Sequence, residues 1–565
     1  MSEEFDVIVV GSGMSGGWAA KEFTVKGYKT LVLDRGGDLT HGEYKTEFTP
    51  PWDMPNRGQV NEDEAKRDYE TNSECYAFNE YTKHHFLNDR ENPYEFPEDK
   101  PIQWVRSSKV GGKSVLWHRQ SYRFSEMDFE ANKKDGHGID WPIRYKDVEP
   151  WYDYVEKFAG ISGSVENLPQ LPDSIYQKPH EMNIVEKDAK ARLEKAYKGS
   201  RKLIIGRCAH LTEPTEEQMA LGRGLCQSRD QCQRGCSWGG YFSSLSATLP
   251  AAERTGNLTL LSNKTAHSVT YDPKTKKATG VKVIDTITKE TKTFKARVVF
   301  MCASTIATTQ ILLNSRSETF ENGIGNSSGV LGRYLMDHVA GSGAAGRMDG
   351  YEDVYYKGRR PTSLYIPRFM NVTEQTDEYI RGFGYQGGAS RGGWQGSWGQ
   401  KGIGEDFKKS IQSPGSWGMS IVGFGEMLPN YDNKIELNDK RLDPLGMPVV
   451  SISAAYGENE IKMKEDMKVQ AINILEAAGF KNVTGWNGPP KVGNAIHEVG
   501  TARMGHDPKT SYLNGYNQSH DVANLFVTDG AAFASTACQN PSLTFMALTA
   551  RAADHADKLM KSGAI

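Results

Sequence analysis

Two stretches of this chain carry residue types and spacings that could do chemistry. Cys226, Cys232 and Cys236 crowd three thiols into one short segment, with Cys208 upstream. Thiolates set closely on a loop can surround a small inorganic core, as in iron–sulfur clusters. The spacing leaves two other uses open: a zinc site that recruits Cys208 or His210 as fourth ligand, and three free thiols. The second stretch is Gly11-Ser12-Gly13-Met14-Ser15-Gly16, followed by Asp34. Here Gly11 makes a turn, Gly13 lets the backbone approach a pyrophosphate, and Gly16 lets a helix pack on a strand. Asp34 accepts hydrogen bonds from ribose hydroxyls. Together these residues point to a bound dinucleotide and, separately, to a redox or metal group.

Such a turn works only if regular elements hold it. Phe5–Val10 is a β-branched run that reads as a strand, Gly17 to about Val25 reads as a helix, and Thr30–Leu33 as a second strand ending in Asp34. The helix N-terminus then offers unpaired N–H groups to phosphates. At 565 residues the chain has material for roughly two to four domains. Its 68 Lys+Arg against 71 Asp+Glu leave a net charge of −3, without the basic surplus that binds nucleic acid. No apolar run reaches the ~18 residues of a membrane helix, and Met1-Ser2-Glu3-Glu4 lacks the basic start of a secretion signal. Seven cysteines, an odd count, disfavour a disulfide framework. Cys75, Cys302 and Cys538 read as small buried hydrophobes.

Farther along, residues 38–100 form a long polar excursion, and Gly111-Gly112-Lys113-Ser114 a turn before Trp117-His118. Helices are expected near 148–159, 181–198, 304–314, 458–479 and from 543. Strands over 258–262, 265–271, 279–285 and 291–302 form a meander. From about 341 to 455 the text turns rich in Gly, Trp and Tyr, with strand-like runs such as 417–427, and reads as a second, sheet-rich domain.

These landmarks occur in a fixed order with Ile324-Gly325-Asn326-Ser327-Ser328-Gly329, Asp337-His338, and the series His497, Gly500-Thr501, Arg503-Met504-Gly505, Asp529-Gly530, Asn540-Pro541. In that order they resemble the glucose–methanol–choline (GMC) family of flavoprotein oxidoreductases. Within it, Trp117 with Arg123-Phe124, and Asp140-Trp141-Pro142-Ile143, are similar to the catalytic subunits of bacterial sugar dehydrogenases (gluconate, fructose and glucoside 3-dehydrogenase types) and to pyranose 2-oxidases and glycoside 3-oxidases.

The resemblance implies an α/β chain with two domains. One is a Rossmann-like FAD-binding domain assembled from 1–45, 100–125, 245–340 and 496–565. The other is a sheet-rich substrate domain of 46–99, 126–244 and 341–495, with a cysteine insertion near 208–240. It implies non-covalent FAD, since Leu116 stands where pyranose 2-oxidase has its flavin-linked histidine. Gly11, Gly13, Ser15, Gly16, Asp34 and Arg35 are expected on the cofactor, as are Gly111, Gly112, Ser114, Trp117 and His118. Ala266, Ala303, Asp529, Gly530, Asn540 and Pro541 complete that set. His497 takes the position of the family's base and Asn540 that of its partner on the same substrate oxygen. Alcohol oxidation needs a hydroxyl proton removed as the carbon-bound hydride leaves for flavin N5, and a group titrating near neutrality suits that.

The same resemblance implies a carbohydrate or glycoside substrate, with the C3 hydroxyl a candidate. It also implies a [3Fe–4S] cluster on Cys226, Cys232 and Cys236, with Cys208 a candidate fourth ligand. A small subunit and a cytochrome would then receive the electrons, and export to the periplasm would ride on a signal-bearing partner, the cytoplasm being the alternative. Gly382–Gly418, with Tyr385, Trp394, Trp398 and Trp417, reads either as a lid whose aromatics pack on sugar C–H faces or as a Gly-rich connection whose tryptophans fill core. Two other functions compete: an oxygen-dependent oxidase releasing hydrogen peroxide, and a non-redox flavin-retaining lyase or structural nucleotide-binding subunit.

Overall fold

The computed structural model describes residues 4–352, 354, 360–391, 402–412 and 415–565. β1 (Glu4–Val10) and β2 (Thr30–Leu33) are buried almost throughout, as parallel strands covered on both faces must be. Between them α1 (Met14–Val25) sinks Trp18, Ala19, Ala20 and Phe23 into the core. β1 pairs in parallel with β2 on one side and with Thr291–Met301 on the other. Leu258–Leu261 extends the sheet beyond β2, and Leu525–Val527 joins Thr291–Met301, both in parallel. Lys264–Asp272 and Lys277–Asp285 complete it as an antiparallel meander. The carboxyl end of β1 is thus a switch point, where connections leave to opposite sides and open a crevice.

A second sheet runs in the order Lys481–Asn487, Ser342–Met348, Trp417–Glu426, Phe383–Arg391, Leu364–Ile366, Ile204–Ile205, with His338–Val339 added on Trp417–Glu426. The helix Glu458–Ala477 buries Met463, Met467, Ala471 and Ile474. A third sheet joins Val499–Thr501, Arg333–Met336, Lys434–Leu442, Pro448–Ser453 and Tyr94–Glu95. The chain passes from the third sheet to the second at Asp337: Met336 pairs with Val499, and His338 pairs with Glu426.

The lid reading is corrected for the two of its aromatics that can be seen. Trp417 is buried in a strand and donates its indole N–H to the Tyr351 carbonyl at 3.0 Å, and Tyr385 is buried with its hydroxyl donating to the Met467 carbonyl at 2.6 Å. Both fill core, because alternate residues of a strand covered on one face must point inward. Trp394 and Trp398 lie outside the described residues. Among the described residues no helix is long and apolar enough to cross a membrane.

Candidate active site

A cavity of about 600 Å3 opens at the carboxyl ends of β1, β2 and Thr291–Met301. The three glycines of the first turn divide their labour there. A Cβ on Gly11, whose φ is +96°, would lie 2.4 Å from the Cys302 carbonyl oxygen, and one on Gly16 would lie 1.8 Å from the Gly11 oxygen. Those two glycines are demanded by the chain's own packing. A Cβ on Gly13 would meet nothing closer than 3.8 Å, so the space over Gly13 is left for something else. It faces the N-terminus of α1, which has no side-chain cap to occupy its free N–H groups. A pyrophosphate fits that space in shape and in charge.

Of the residues expected on the cofactor, Gly11, Gly13, Ser15, Asp34, Arg35, Gly112, Ser114, Trp117, His118, Ala266, Ala303, Asp529, Gly530 and Asn540 line this one cavity. Gly16, Gly111 and Pro541 do not. Gly16 packs on Gly11, Gly111 takes a φ of +90° and donates its N–H to Ser12 Oγ at 2.8 Å, and Pro541 caps the helix Ser542–Ser562. Sequence reasoning passed over Ser12, which ties the cradle together. Its N–H (2.9 Å) and hydroxyl (2.5 Å) both donate to Asp34 Oδ2, while Gly36 N–H donates to Oδ1 at 2.7 Å. Burial raises the Asp34 carboxyl above its ordinary range, opposed by these hydrogen bonds. Trp117 is held by its N–H on the Phe242 carbonyl at 2.9 Å. Asp529 accepts from the Thr308 hydroxyl at 2.5 Å and from Ala531 N–H at 3.0 Å, and burial pushes it up to about 6.

At the far end of the cavity, residues from separated segments converge. Asp337 catches the turn before Val499–Thr501, accepting N–H groups from Gly493 (2.9 Å), Ala495 (3.0 Å) and His497 (2.9 Å). Burial and then Glu498 push its carboxyl up to about 7 against these bonds. The turn so held presents His497. Its Nδ1 lies 3.1 Å from His338 Nδ1, and its Nε2 lies 3.3 Å from Asn540 Nδ2. Asn540 Oδ1 in turn accepts from Gln386 Nε2 at 2.6 Å, which fixes the amide with its NH2 toward the imidazole. Burial first, then His338 and Lys113, hold the His497 imidazole well below the ordinary histidine range, so it is neutral at neutral pH. The backbone is bent to suit: Ile496 has φ +61°, Thr501 +79° and Ala537 +56°. Left-handed conformations at such residues cost ~1–3 kcal/mol each and cluster at functional sites.

A second cavity adjoins the first and shares His118, Arg119, Ser363, Gln386, Gly387 and Val422 with it. His497 and Asn540 line the first and stand near this junction. Gln386 was missed from sequence, although a lone glutamine within Gly382-Phe383-Gly384-Tyr385-Gln386 was a legible signal, since strands of that kind rarely bury an amide without use.

The cysteines behave differently. Among the described residues no group of three or more His, Cys, Asp or Glu side chains is placed to hold a metal ion. Cys232 Sγ lies 3.7 Å from His210 Nε2, and Cys208, fully buried, lies 3.3 Å from Ser162 Oγ. Their segment is pinned by other means: Arg229 pairs with Glu47, Ser237 N–H donates to Glu47 at 3.0 Å, Arg234 stacks 3.4 Å over Tyr81, and Arg119 donates to the Cys232 carbonyl at 2.8 Å. Burial pushes the Cys226 thiol up to about 12.

Comparison with known proteins gives this geometry a context. Residues 5–340 and 429–549 match two sequence profiles, each described as GMC oxidoreductase. The 2-methyl-1,2-propanediol dehydrogenase of Mycolicibacterium austroafricanum is 28% identical, over 98% of this chain and 95% of its own. The fructose dehydrogenase large subunit of Gluconobacter japonicus is 25% identical, over 99% and 98%. A formate oxidase variant from Aspergillus oryzae RIB40 superposes with a TM-score of 0.62 at 14% identity, covering 100% of both chains, and shows a shared fold.

Proposed function

The chain belongs to the GMC oxidoreductase family, whose members are FAD-dependent and act on CH–OH groups, and from that premise we propose that it oxidises a hydroxyl of a sugar, glycoside or small polyol to a carbonyl with His497 as base. The observation that carries this reading is the pair of a neutral imidazole and an amide, His497 and Asn540, at the end of a cavity whose other end is the Gly13 cradle. FAD, when bound, supplies the acceptor for the carbon-bound hydride. Gly13, Ser15 and the α1 N-terminus would hold its pyrophosphate, and Asp34 its ribose. His497 takes the hydroxyl proton at Nε2. Asn540, held by Gln386, directs its N–H groups to the same place and orients the hydroxyl oxygen.

A polyhydroxylated substrate is supported by the names of the relatives, 2-methyl-1,2-propanediol and fructose dehydrogenases. Oxidation at C3 of a glycoside is the specific form to test. The experiment is anaerobic mixing of the yellow protein with glycosides, fructose, gluconate and 2-methyl-1,2-propanediol, following loss of flavin absorbance. Bleaching by none of these alcohols would overturn the reading. Admitting oxygen afterwards separates a dehydrogenase from an oxidase, because only the latter is reoxidised at once with release of hydrogen peroxide.

The iron–sulfur relay rests on the spacing of Cys226, Cys232 and Cys236. As placed, the thiols do not gather into a site, so no electron step is routed through them, and assay of iron and acid-labile sulfide decides whether they ever do. A smaller partner subunit is supported by the relative named as a large subunit, and a cytochrome acceptor belongs to the same proposal. Export to the periplasm with such a partner belongs to the same proposal.

A further inference from the structure

Of the thirteen histidines in the chain, His338 is among those buried completely, and it is the one that touches His497. We propose that His338 is a positioning residue that accepts the Nδ1–H of His497 and thereby holds His497 in the tautomer whose Nε2 is free to take a proton. This rests on the reading of His497 as base and adds to it the device that keeps the base in working form.

A contact of 3.1 Å between two Nδ1 atoms requires that one donate and the other accept. If His338 donated, His497 would carry its proton on Nε2, the atom that faces Asn540, and the base would be blocked. The amide of Asn540 chooses between the two arrangements. Asn540 Oδ1 accepts from Gln386 Nε2 at 2.6 Å, so its NH2 is turned toward His497 Nε2, 3.3 Å away; that nitrogen accepts, and the His497 proton is on Nδ1. With the His497 Nδ1–H directed at His338 Nδ1, the proton of neutral His338 is on its buried Nε2. A neutral imidazole with Nε2–H has a bare Nδ1, so His338 accepts and His497 donates. Burial holds His338 far below its ordinary range, down to about 3, so it does not become a second donor through the neutral and mildly acid range.

The assembly has rigid supports. His338 sits in a strand paired with Glu426, and Asp337, the preceding residue, binds the turn that carries His497. When the substrate O–H bond breaks, the proton goes to His497 Nε2, giving an imidazolium whose Nδ1–H still points at His338. A charge-assisted bond of this kind is stronger than the neutral one, so the contact tightens as the proton moves. The hydride leaves separately to the flavin, and the proton is returned to solvent later. The other charged or titratable groups facing His497 are Lys113, which pairs with Glu498 at 2.9 Å, and Asp337. Asn540, Gln386 and the Phe424 ring, 6.0 Å away, are neutral.

The test uses FAD-loaded His338→Leu, which fills the space without an acceptor, and His338→Asn, whose side-chain oxygen can stand near the lost Nδ1. In 15N-histidine spectra, the His497 signals, assigned by their loss in His497→Ala, should show a protonated Nδ1 and a bare Nε2 in the wild type, with the Nε2–H form gaining in His338→Leu. Anaerobic flavin reduction should slow roughly 10–100-fold in His338→Leu, the scale on which partners that orient an active imidazole act. It should recover in large part in His338→Asn. A protonated Nε2 on His497 in the wild type overturns the proposal, as does reduction by His338→Leu within twofold of wild type. Reduction by His497→Ala near the wild-type rate would instead overturn the base itself, a separately readable failure.

Discussion

Cys226, Cys232 and Cys236 lie close together in sequence and are not placed to hold a metal ion together, whereas His497 is far in sequence from His338 and Asn540 and touches both. His497 and His338 are 159 residues apart, His497 and Asn540 are 43, and Asn540 and Gln386 are 154. His338 and Gln386 stand on strands, His497 in the turn before Val499–Thr501, and Asn540 just before the helix Ser542–Ser562. The cysteine segment is a loop with one short turn at Cys232–Arg234, fixed by Glu47, Tyr81 and Arg119 at its periphery. Closeness along the chain supplies a high local concentration of groups, but only elements packed from several sides aim them at one point.

The comparison can be broken or sharpened by experiment, beginning where the effect is largest. Gly13→Val should give a folded but colourless protein, because its Cβ has room in the chain and the added methyls occupy the space for the pyrophosphate; full flavin absorbance after purification would show the cradle is elsewhere. His497→Ala should keep its flavin and slow substrate-driven reduction by ~10²–10⁴-fold, measured by anaerobic stopped flow. Asn540→Ala should cost less, on the order of tenfold to a hundredfold, since the base survives while the orienting N–H is lost and Gln386 is left without its acceptor. The pH profile is a finer probe. Only neutral His497 can take a proton, and its titration lies well below 6.5, so reduction should stay level from pH 8 through 6.5 and decline only in more acid solution. A decline centred at 6.5 or above would mean that the imidazole is solvated like a surface histidine. Cys232→Ser should have the smallest effect, leaving reduction within about twofold of wild type, because Cys232 lies outside the flavin cavity and serine keeps its size where it borders the adjoining one. Iron in the wild type that is lost from this variant, together with slower turnover of a one-electron acceptor, would show that the thiols do gather.

Much of the cradle was legible because it is local. A strand, a turn with three glycines, a helix and a second strand complete it within 34 residues, and each residue's task follows from its type. Even there Ser12 was passed over, since nothing in a run of small residues marks the one that will bond Asp34. The strands and helices outside it were readable to within a few residues wherever apolar periodicity was strong, as in Glu458–Ala477 and Thr291–Met301. His497 and Asn540 were found through the order of motifs, since nothing in their own surroundings announces a base. Asp337 and His338 were visible as a motif without a task, because the task depends on strand pairing with residues far along the chain. The aromatics of 382–418 misled in part: Tyr385 and Trp417 alternate inward from strands, and composition cannot tell an inward tryptophan from one that greets a ligand.

The crossing at Asp337 has a meaning for how such a chain can change. The turn that carries His497 is moored to the third sheet through Val499 and Met336, while Gln386 and Val422, which border the adjoining cavity, belong to the second sheet. Replacements along the second sheet away from His338 and Gln386 can therefore reshape what is admitted without shifting the imidazole or the glycine turn. The peptide at Asp337 is the border between the sheet that anchors the turn of His497 and the sheet that borders the adjoining cavity.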